Sequence, residues 1–298
     1  MAELAELRVA GRAVATYVDG AELDPVLAPR PHLHPVRTLG GRVVSDAVPA
    51  DHRWHLGVGV AVQDVDGGNF WGGRTYVRGQ GYTWRDDHGR IEHAGFDARD
   101  ASGFVERLRW VAARGEVLLH ERRTVTTRRW VDRDADGWEL ELVTELANAT
   151  DRTLRLGSPA TNGRTGAGYG GLFWRLPPAT APEVRAGGAA EDAVGEAAVH
   201  GVVAPWLAWT ERGPDPFTLA LVGTGAATAA DPWFVRVEGY PGIGSQLAAD
   251  DPVAVAPGST VSRGWCALVA EGSLNQAAVS RWARTHRPDA VGVPYPPR

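Results

Sequence analysis

The chain has 298 residues, 31 basic against 36 acidic, for a formal charge of −5. That balance excludes the strongly basic footprint expected of a nucleic-acid or anionic-membrane binder. All 31 basic residues are arginine, which also excludes lysine Schiff bases, pyridoxal aldimines and P-loops.

The N-terminal residues lack the apolar segment of a secretory signal, and no apolar run approaches ~18 residues, so the expectation is a cytoplasmic chain without a membrane span. Period-two alternation predicts strands over 4–9 and 12–18. Next comes Arg30-Pro31-His32-Leu33-His34-Pro35. Alternation puts His32 and His34 on one face, about 6.5–7 Å apart. The flanking prolines lack N–H donors and suit a strand edge or end, where a cleft can open. A cupin would carry a glutamate four residues beyond His34; Thr38 stands there, so that metal site is excluded.

Asp51-His52-Arg53-Trp54-His55 reads as a loop feeding a strand over 56–65. Loops at strand ends often carry function, and an aspartate there can fix the tautomer of a neighbouring imidazole. These two segments hold four of the nine histidines. Tryptophan, with 12 residues, outnumbers tyrosine and phenylalanine. Most of these indoles are expected in the core, but Trp54, Trp71 and Trp174 adjoin polar, glycine-rich motifs and are candidate platforms for sugar rings.

Further strands are predicted over 90–98, 103–112, 117–126, 138–146 and 152–157, with a hairpin turn signalled by Asp136-Gly137. The aspartates of 132–136 resemble part of a calcium loop, but the closing glutamate is missing and a solvated hairpin tip is the expectation. Gly166, Gly168 and Gly171 form a G-x-G-x-x-G. A dinucleotide fingerprint must open a helix, whereas Leu172–Pro178 reads as a strand ending at prolines. The segment is therefore read as a flexible loop offering Asn162, Arg164 and Tyr169 to hydroxyls or a carboxylate.

An exposed connection is expected over 177–197, then strands over 198–211, 217–223, 233–239 and 260–270. The strand over 233–239 puts Phe234, Arg236 and Glu238 on one face, which makes Glu238 a candidate general base. Cys266, the only cysteine, sits in an apolar run and reads as a buried thiol. A helix is predicted near 273–286, capped by Ser273 and stopped by Arg287-Pro288. No βαβ alternation occurs. The expected fold is all-β: one large antiparallel β-sandwich domain over 1–298 with one short C-terminal helix.

Three segments carry a family resemblance: Arg30–Pro35, Asp51–Gly57 and Gly168–Arg175. In that order they are similar to the R-P-Y-L-H-P-like, D-H-P-H-H-R-G-like and G-Y-G-G-L-F-W-R-like motifs of the PmoA-like ("methane oxygenase PmoA") family. The match spans most of residues 25–270. His32 stands where an aromatic is common, and Arg53, Trp54 and Leu56 replace Pro, His and Arg. A methane monooxygenase membrane subunit needs long apolar spans, which this chain lacks. The resemblance implies instead a supersandwich similar to galactose mutarotase, and a functional link to Gfo/Idh/MocA-type sugar oxidoreductases.

The expected function is that of a carbohydrate-active enzyme without a cofactor, using acid–base chemistry on a sugar or keto-sugar derivative. Epimerase- or mutarotase-like and lyase- or hydrolase-like reactions both remain open. His55 or His34 is the expected acid and Asp51 or Glu238 the expected base, with His52 beside them. Arg30, Arg164 and Tyr169 are expected to anchor the substrate, with His32, Trp54, Trp71 and Asn162 around it. One alternative is a non-catalytic carbohydrate-binding partner of a sugar oxidoreductase. Another is a metal enzyme using His34, His52 and His55 with Asp51. Exposed strand edges allow a homodimer.

Overall fold

A computed structural model describes residues 1–133, 135–187 and 193–286. The chain begins with β1 (Glu3–Val9), β2 (Arg12–Val18), β3 (His32–Val36), β4 (Val58–Ala61), β5 (Asp64–Val65), β6 (Thr75–Val77) and β7 (Gly81–Thr83). It continues through β8 (Arg90–Arg99), β9 (Gly103–Val111), β10 (Val117–Asp132), β11 (Ala135–Asn148), β12 (Leu154–Gly157) and β13 (Gly171–Arg175). Then follow β14 (Pro182–Ala186), β15 (Ala193–Val194), α1 (Glu196–Val199), β16 (Leu207–Glu211), β17 (Phe217–Gly223) and α2 (Ala226–Ala229). The last elements are β18 (Trp233–Arg236), β19 (Gly242–Ser245), β20 (Val253–Val255), β21 (Thr260–Glu271) and α3 (Gln276–Arg284).

Two large antiparallel sheets make the fold. One has seven strands in the order β1-β2-β3-β4-β13-β19-β18, the other nine in the order β15-β14-β16-β17-β21-β11-β10-β9-β8. Smaller sheets, β20-β12-β5 and β6-β7, complete it. The architecture is an all-β sandwich, as the alternation implied. Leu7, Leu33, Val58, Val60, Leu172, Trp174, Trp233 and Val235 from one sheet meet Trp110, Val125, Trp138, Leu142, Leu219 and Trp265 from the other in a continuous apolar core. Because side chains alternate across a strand, His32, His34, Ala61, Phe173, Arg175, Phe234 and Arg236 take the opposite face of the seven-stranded sheet. The site lies on that face.

A buried polar network crosses between the sheets. The Arg123 guanidinium donates from Nε and Nη2 to the two oxygens of Glu121, at 2.8 and 3.0 Å. Trp110 Nε1 and Thr144 Oγ1 donate to the same carboxylate. The remaining amine, Nη1, donates to Tyr17 Oη and to Pro31 O, while Tyr17 Oη donates to Glu106. Burial raises Glu106 and lifts Tyr17 well above its ordinary value. The network thus ties β10 to the chain just ahead of β3.

Several local expectations change. Pro182–Ala186, expected within an exposed connection over 177–197, is instead strand β14, paired with β16, and its Val184 and Ala186 enter the core. Residues 188–192 of that connection lie outside the described residues. The strand expected over 198–211 begins only at Leu207, after α1, Gly201 and Pro205; glycine and proline both break a ladder. Gly137 pairs with Trp130 inside the β10–β11 ladder and Asp132 pairs with Ala135, so the reversal precedes the Asp136-Gly137 signal. A Cβ on Gly137 would lie 2.5 Å from Val269 O, so glycine permits the approach of β21. Helix α3 is capped by Asn275, whose Oδ1 accepts from Ala278 N at 2.9 Å, rather than by Ser273. The stop at Arg287-Pro288 lies outside the described residues. Cys266 is buried beneath α3, with Trp282 and Leu268 in the same cluster. No helix among the described residues is long and apolar enough to cross a membrane.

Candidate active site

Five connecting segments and strand β18 converge over the outer face of β4, β13 and β18. Between β3 and β4 the chain delivers His52, Trp54 and His55, and the turn after β5 delivers Trp71. The β6–β7 hairpin supplies Tyr82, and the β12–β13 loop supplies Arg164 and Tyr169. Phe234 and Arg236 come from β18, and Tyr240 from the turn behind it. Together with Gly72, Arg74 and Trp84 they enclose a cavity of about 530 Å³. His55, Trp71 and Phe234 are buried and form its deep part, whereas Arg74, Trp84 and Arg164 are exposed at its mouth.

The centre is a stacked imidazole pair. The rings of His52 and His55 lie 4.8 Å apart at 15°, with Tyr240 against both. Behind them, Arg175 on β13 donates from Nη1 to His55 Nδ1 at 3.3 Å and from Nη2 to both Asp51 oxygens at 3.1 and 3.0 Å. Asp51 Oδ2 in turn lies 3.2 Å from His52 Nδ1. These partners fix opposite tautomers. A guanidinium can only donate, so His55 Nδ1 is the acceptor and its proton sits on Nε2. A carboxylate can only accept, so His52 carries a proton on Nδ1, and in the neutral ring the lone pair is then on Nε2. Burial, reinforced by His52, Arg175 and Arg30, drives His55 well below its ordinary pKa and keeps it neutral. Burial pushes Asp51 up, but the hydrogen bonds from Arg175 and His52 outweigh it and hold the carboxyl below its usual value.

The aromatic walls interlock. Trp71 packs against Tyr169 and Phe173 at 4.8 and 4.9 Å. Tyr82 Oη and Tyr169 Oη are 2.9 Å apart, and Arg164 Nη1 donates to Tyr82 Oη at 2.6 Å. Asn69 shapes the turn under Trp71: its Oδ1 accepts from Trp71 N and Gly72 N, and its Nδ2 donates to Thr75 Oγ1. Gly73, at φ +70°, closes the turn so tightly that a Cβ would lie 2.6–2.9 Å from the Trp54 indole. Gly73→Ala is therefore expected to push Trp54 out of its seat and cost about 1–3 kcal/mol from strain and overpacking. Urea titration read by tryptophan emission checks this; an unchanged midpoint and spectrum would contradict it.

Of the residues proposed from sequence, His52, Trp54, His55, Trp71, Arg164 and Tyr169 line this cavity, with Asp51 directly behind. The others stand elsewhere. Arg30 is buried and donates to the carbonyls of Leu27, Ala28, Trp71 and Trp54. It fastens the loops bearing the two indoles instead of touching the cavity, and burial lowers its pKa to about 9. His32 Nδ1 donates to Arg30 O, and burial lowers its pKa to about 4. His34 Nδ1 meets Ser45 Oγ at 2.9 Å, away from the cavity lining. Asn162 donates to Asp64 and holds its own loop. Glu238 falls beyond the end of β18, is exposed and lies outside the lining, and Arg236 pairs instead with Glu196. Trp174 is a core residue whose Nε1 donates to Val44 O.

Arg175, Tyr82, Arg74, Trp84 and Tyr240 also belong to the site, although no sequence motif singles them out for it. Arg175 was visible as the polar end of an otherwise apolar strand, Leu172–Trp174. The metal-ligand set His34, His52, His55 and Asp51 does not converge. Among the described residues, three His, Cys, Asp or Glu ligand atoms meet within 4.8 Å only at Glu139, Cys266 and His286. There Arg128 bonds both Glu139 and His286, a guanidinium where a cation would have to sit.

A family model described as a family of unknown function (DUF6807) matches residues 5–284, and the chain belongs to that family. No curated protein matches the sequence.

Proposed function

We propose that this member of the DUF6807 family is an enzyme that moves a proton beside a carbonyl of a sugar or keto-sugar derivative, in the manner of an epimerase or isomerase. The stacked His52–His55 pair with opposite tautomers carries the reading. His52 Nε2 takes the proton from carbon, its imidazolium stabilised by Asp51. The electron pair passes into the carbonyl, and the enolate oxygen accepts a hydrogen bond from His55 Nε2–H. His52 then returns the proton to the neighbouring carbon or to the opposite face. A neutral imidazole can act as this donor, polarising the carbonyl through Nε2–H while keeping its proton. The expected acid thus becomes a fixed donor, and His52 carries the proton both ways. The surrounding indoles, and the resemblance of the three motifs to the PmoA-like family with the mutarotase-like sandwich it implies, favour a polyhydroxylated substrate.

The test is proton exchange in deuterated water, followed by NMR on a panel of keto- and aldo-sugar derivatives. Wild type is expected to wash deuterium into one carbon-bound position, and His52→Ala to slow this by about 10²-fold or more. His55→Ala removes the donor and is expected to slow it by a similar factor. Binding without exchange in wild type would replace this reading with that of a carbohydrate-binding protein, which the three indoles would also suit.

A further inference from the structure

The guanidinium groups of the cavity are unevenly matched. Arg175 has Asp51 and Arg236 has Glu196. Arg74 and Arg164 have no carboxylate partner among the described residues. Arg74 stacks on Trp84 with its Cζ 5.7 Å from the ring, and Arg164 lies over Tyr82 at 4.9 Å. Among the described residues, no aspartate or glutamate lines the cavity. This occurs in a chain with five more acidic than basic residues, in which many of the other arginines are ion-paired.

Hydroxyl-rich neutral sugars need acceptors for their O–H groups, and arginine offers none. The lining is donor-rich: the Arg74 guanidinium, the N–H groups of Arg164 not given to Tyr82, His55 Nε2–H and the tyrosine hydroxyls. Such a cavity is complementary to a ligand rich in acceptors. Cation–π contact with Trp84 and Tyr82 holds each guanidinium in place and leaves N–H groups to receive anionic oxygens.

We propose that the ligand is an acidic sugar derivative, whose carboxylate or phosphate ester is held by Arg74 and Arg164 at the mouth while its carbonyl end reaches His52 and His55. This rests on the sugar reading above and deepens it by naming the charge. The same forks hold the reacting carbon at a fixed depth, so a neutral analogue is expected to lose turnover as well as affinity.

The test titrates the tryptophan emission of the intact protein with matched probes: glucuronate against glucose, galacturonate against galactose, mannuronate against mannose. Glucose 6-phosphate and galactose 6-phosphate separate phosphate from carboxylate, and benzoate supplies charge without hydroxyls. At least one acidic sugar is expected to bind about tenfold or more tightly than its neutral counterpart. That preference, read as the ratio of acidic to neutral affinity within each pair, should shrink with added salt and largely vanish in the Arg74→Gln/Arg164→Gln double variant. Equal affinity within every pair, a preference that survives the double variant, or no response to any acidic sugar overturns the proposal. Benzoate binding as tightly as the sugar acids, with the same arginine dependence, keeps the anion site and removes the sugar reading. Binding of neutral sugars alone does the reverse.

Discussion

Glu121→Ala is expected to lower the stability of the fold by about 3–5 kcal/mol, the usual cost of stranding one member of a buried ion pair. Four hydrogen bonds converge on that carboxylate, two of them from Arg123. Removing it leaves a guanidinium 1% exposed, with Tyr17 Oη and Pro31 O as its remaining hydrogen-bond partners. The double variant Glu121→Ala/Arg123→Met removes both charges and is expected to recover part of the loss, since an apolar pair of similar volume often replaces a buried ion pair at little cost. Urea denaturation of wild type, single and double variants measures this. A single variant within about 1 kcal/mol of wild type would show that water reaches the site. The effect extends to the cavity, because Arg123 holds the carbonyl of Pro31, next to the Arg30 that fastens the Trp54 and Trp71 loops.

Acid is expected to destabilise the protein through its buried histidines, below pH ~6.5, the unfolded imidazole value. His32 is pushed down to about 4 chiefly by burial, and His55 lies well below its ordinary value for the same reason. Between the folded and unfolded values the unfolded chain binds more protons, so stability rises with pH across that window. The contribution is complete above about 6.5 and is lost as pH falls, at about 1.4 kcal/mol per unit for each histidine. For His32 alone the loss by pH 4 is about 3 kcal/mol. Glu106, raised by burial, works in the opposite direction, so a difference measurement is needed. His32→Gln keeps a donor for Arg30 O and removes the titration. Its stability should fall less steeply than wild type between pH 6.5 and 4. Identical slopes would mean that His32 reaches water when protonated.

The two tests bear on different levels of the molecule. The Glu121 network joins the sheets, whereas His32 belongs to the layer beneath the loops of the cavity. Loss of ligand binding in Glu121→Ala at temperatures where the fold persists would show that the fastening by Arg30 depends on the inter-sheet ties.

Alternation along single strands was local information, and it was enough for the all-β class. The stretches 117–126 and 138–146 show a clear period of two because each buries one side against the opposite sheet. Strand β14 was hidden, since its Pro-, Gly- and Ala-rich surroundings resemble a linker until β16 pairs with it. The histidine and indole cluster of 51–55 was likewise legible, because its members are neighbours in the chain. Their roles were not. Asp51 reads as a base until Arg175, 124 residues away, takes both of its oxygens. Arg30 reads as a substrate anchor until four backbone carbonyls surround it. Glu238 reads as a base only while its strand is assumed to continue. Residue types and their periodicity therefore determined which faces are apolar and which segments carry chemistry. Tertiary structure alone decided tautomers, ion-pair partners and the two arginines left unbalanced at the cavity mouth. A titratable group takes its protonation and its job from whatever lies within a few ångströms, and those neighbours come from distant parts of the chain.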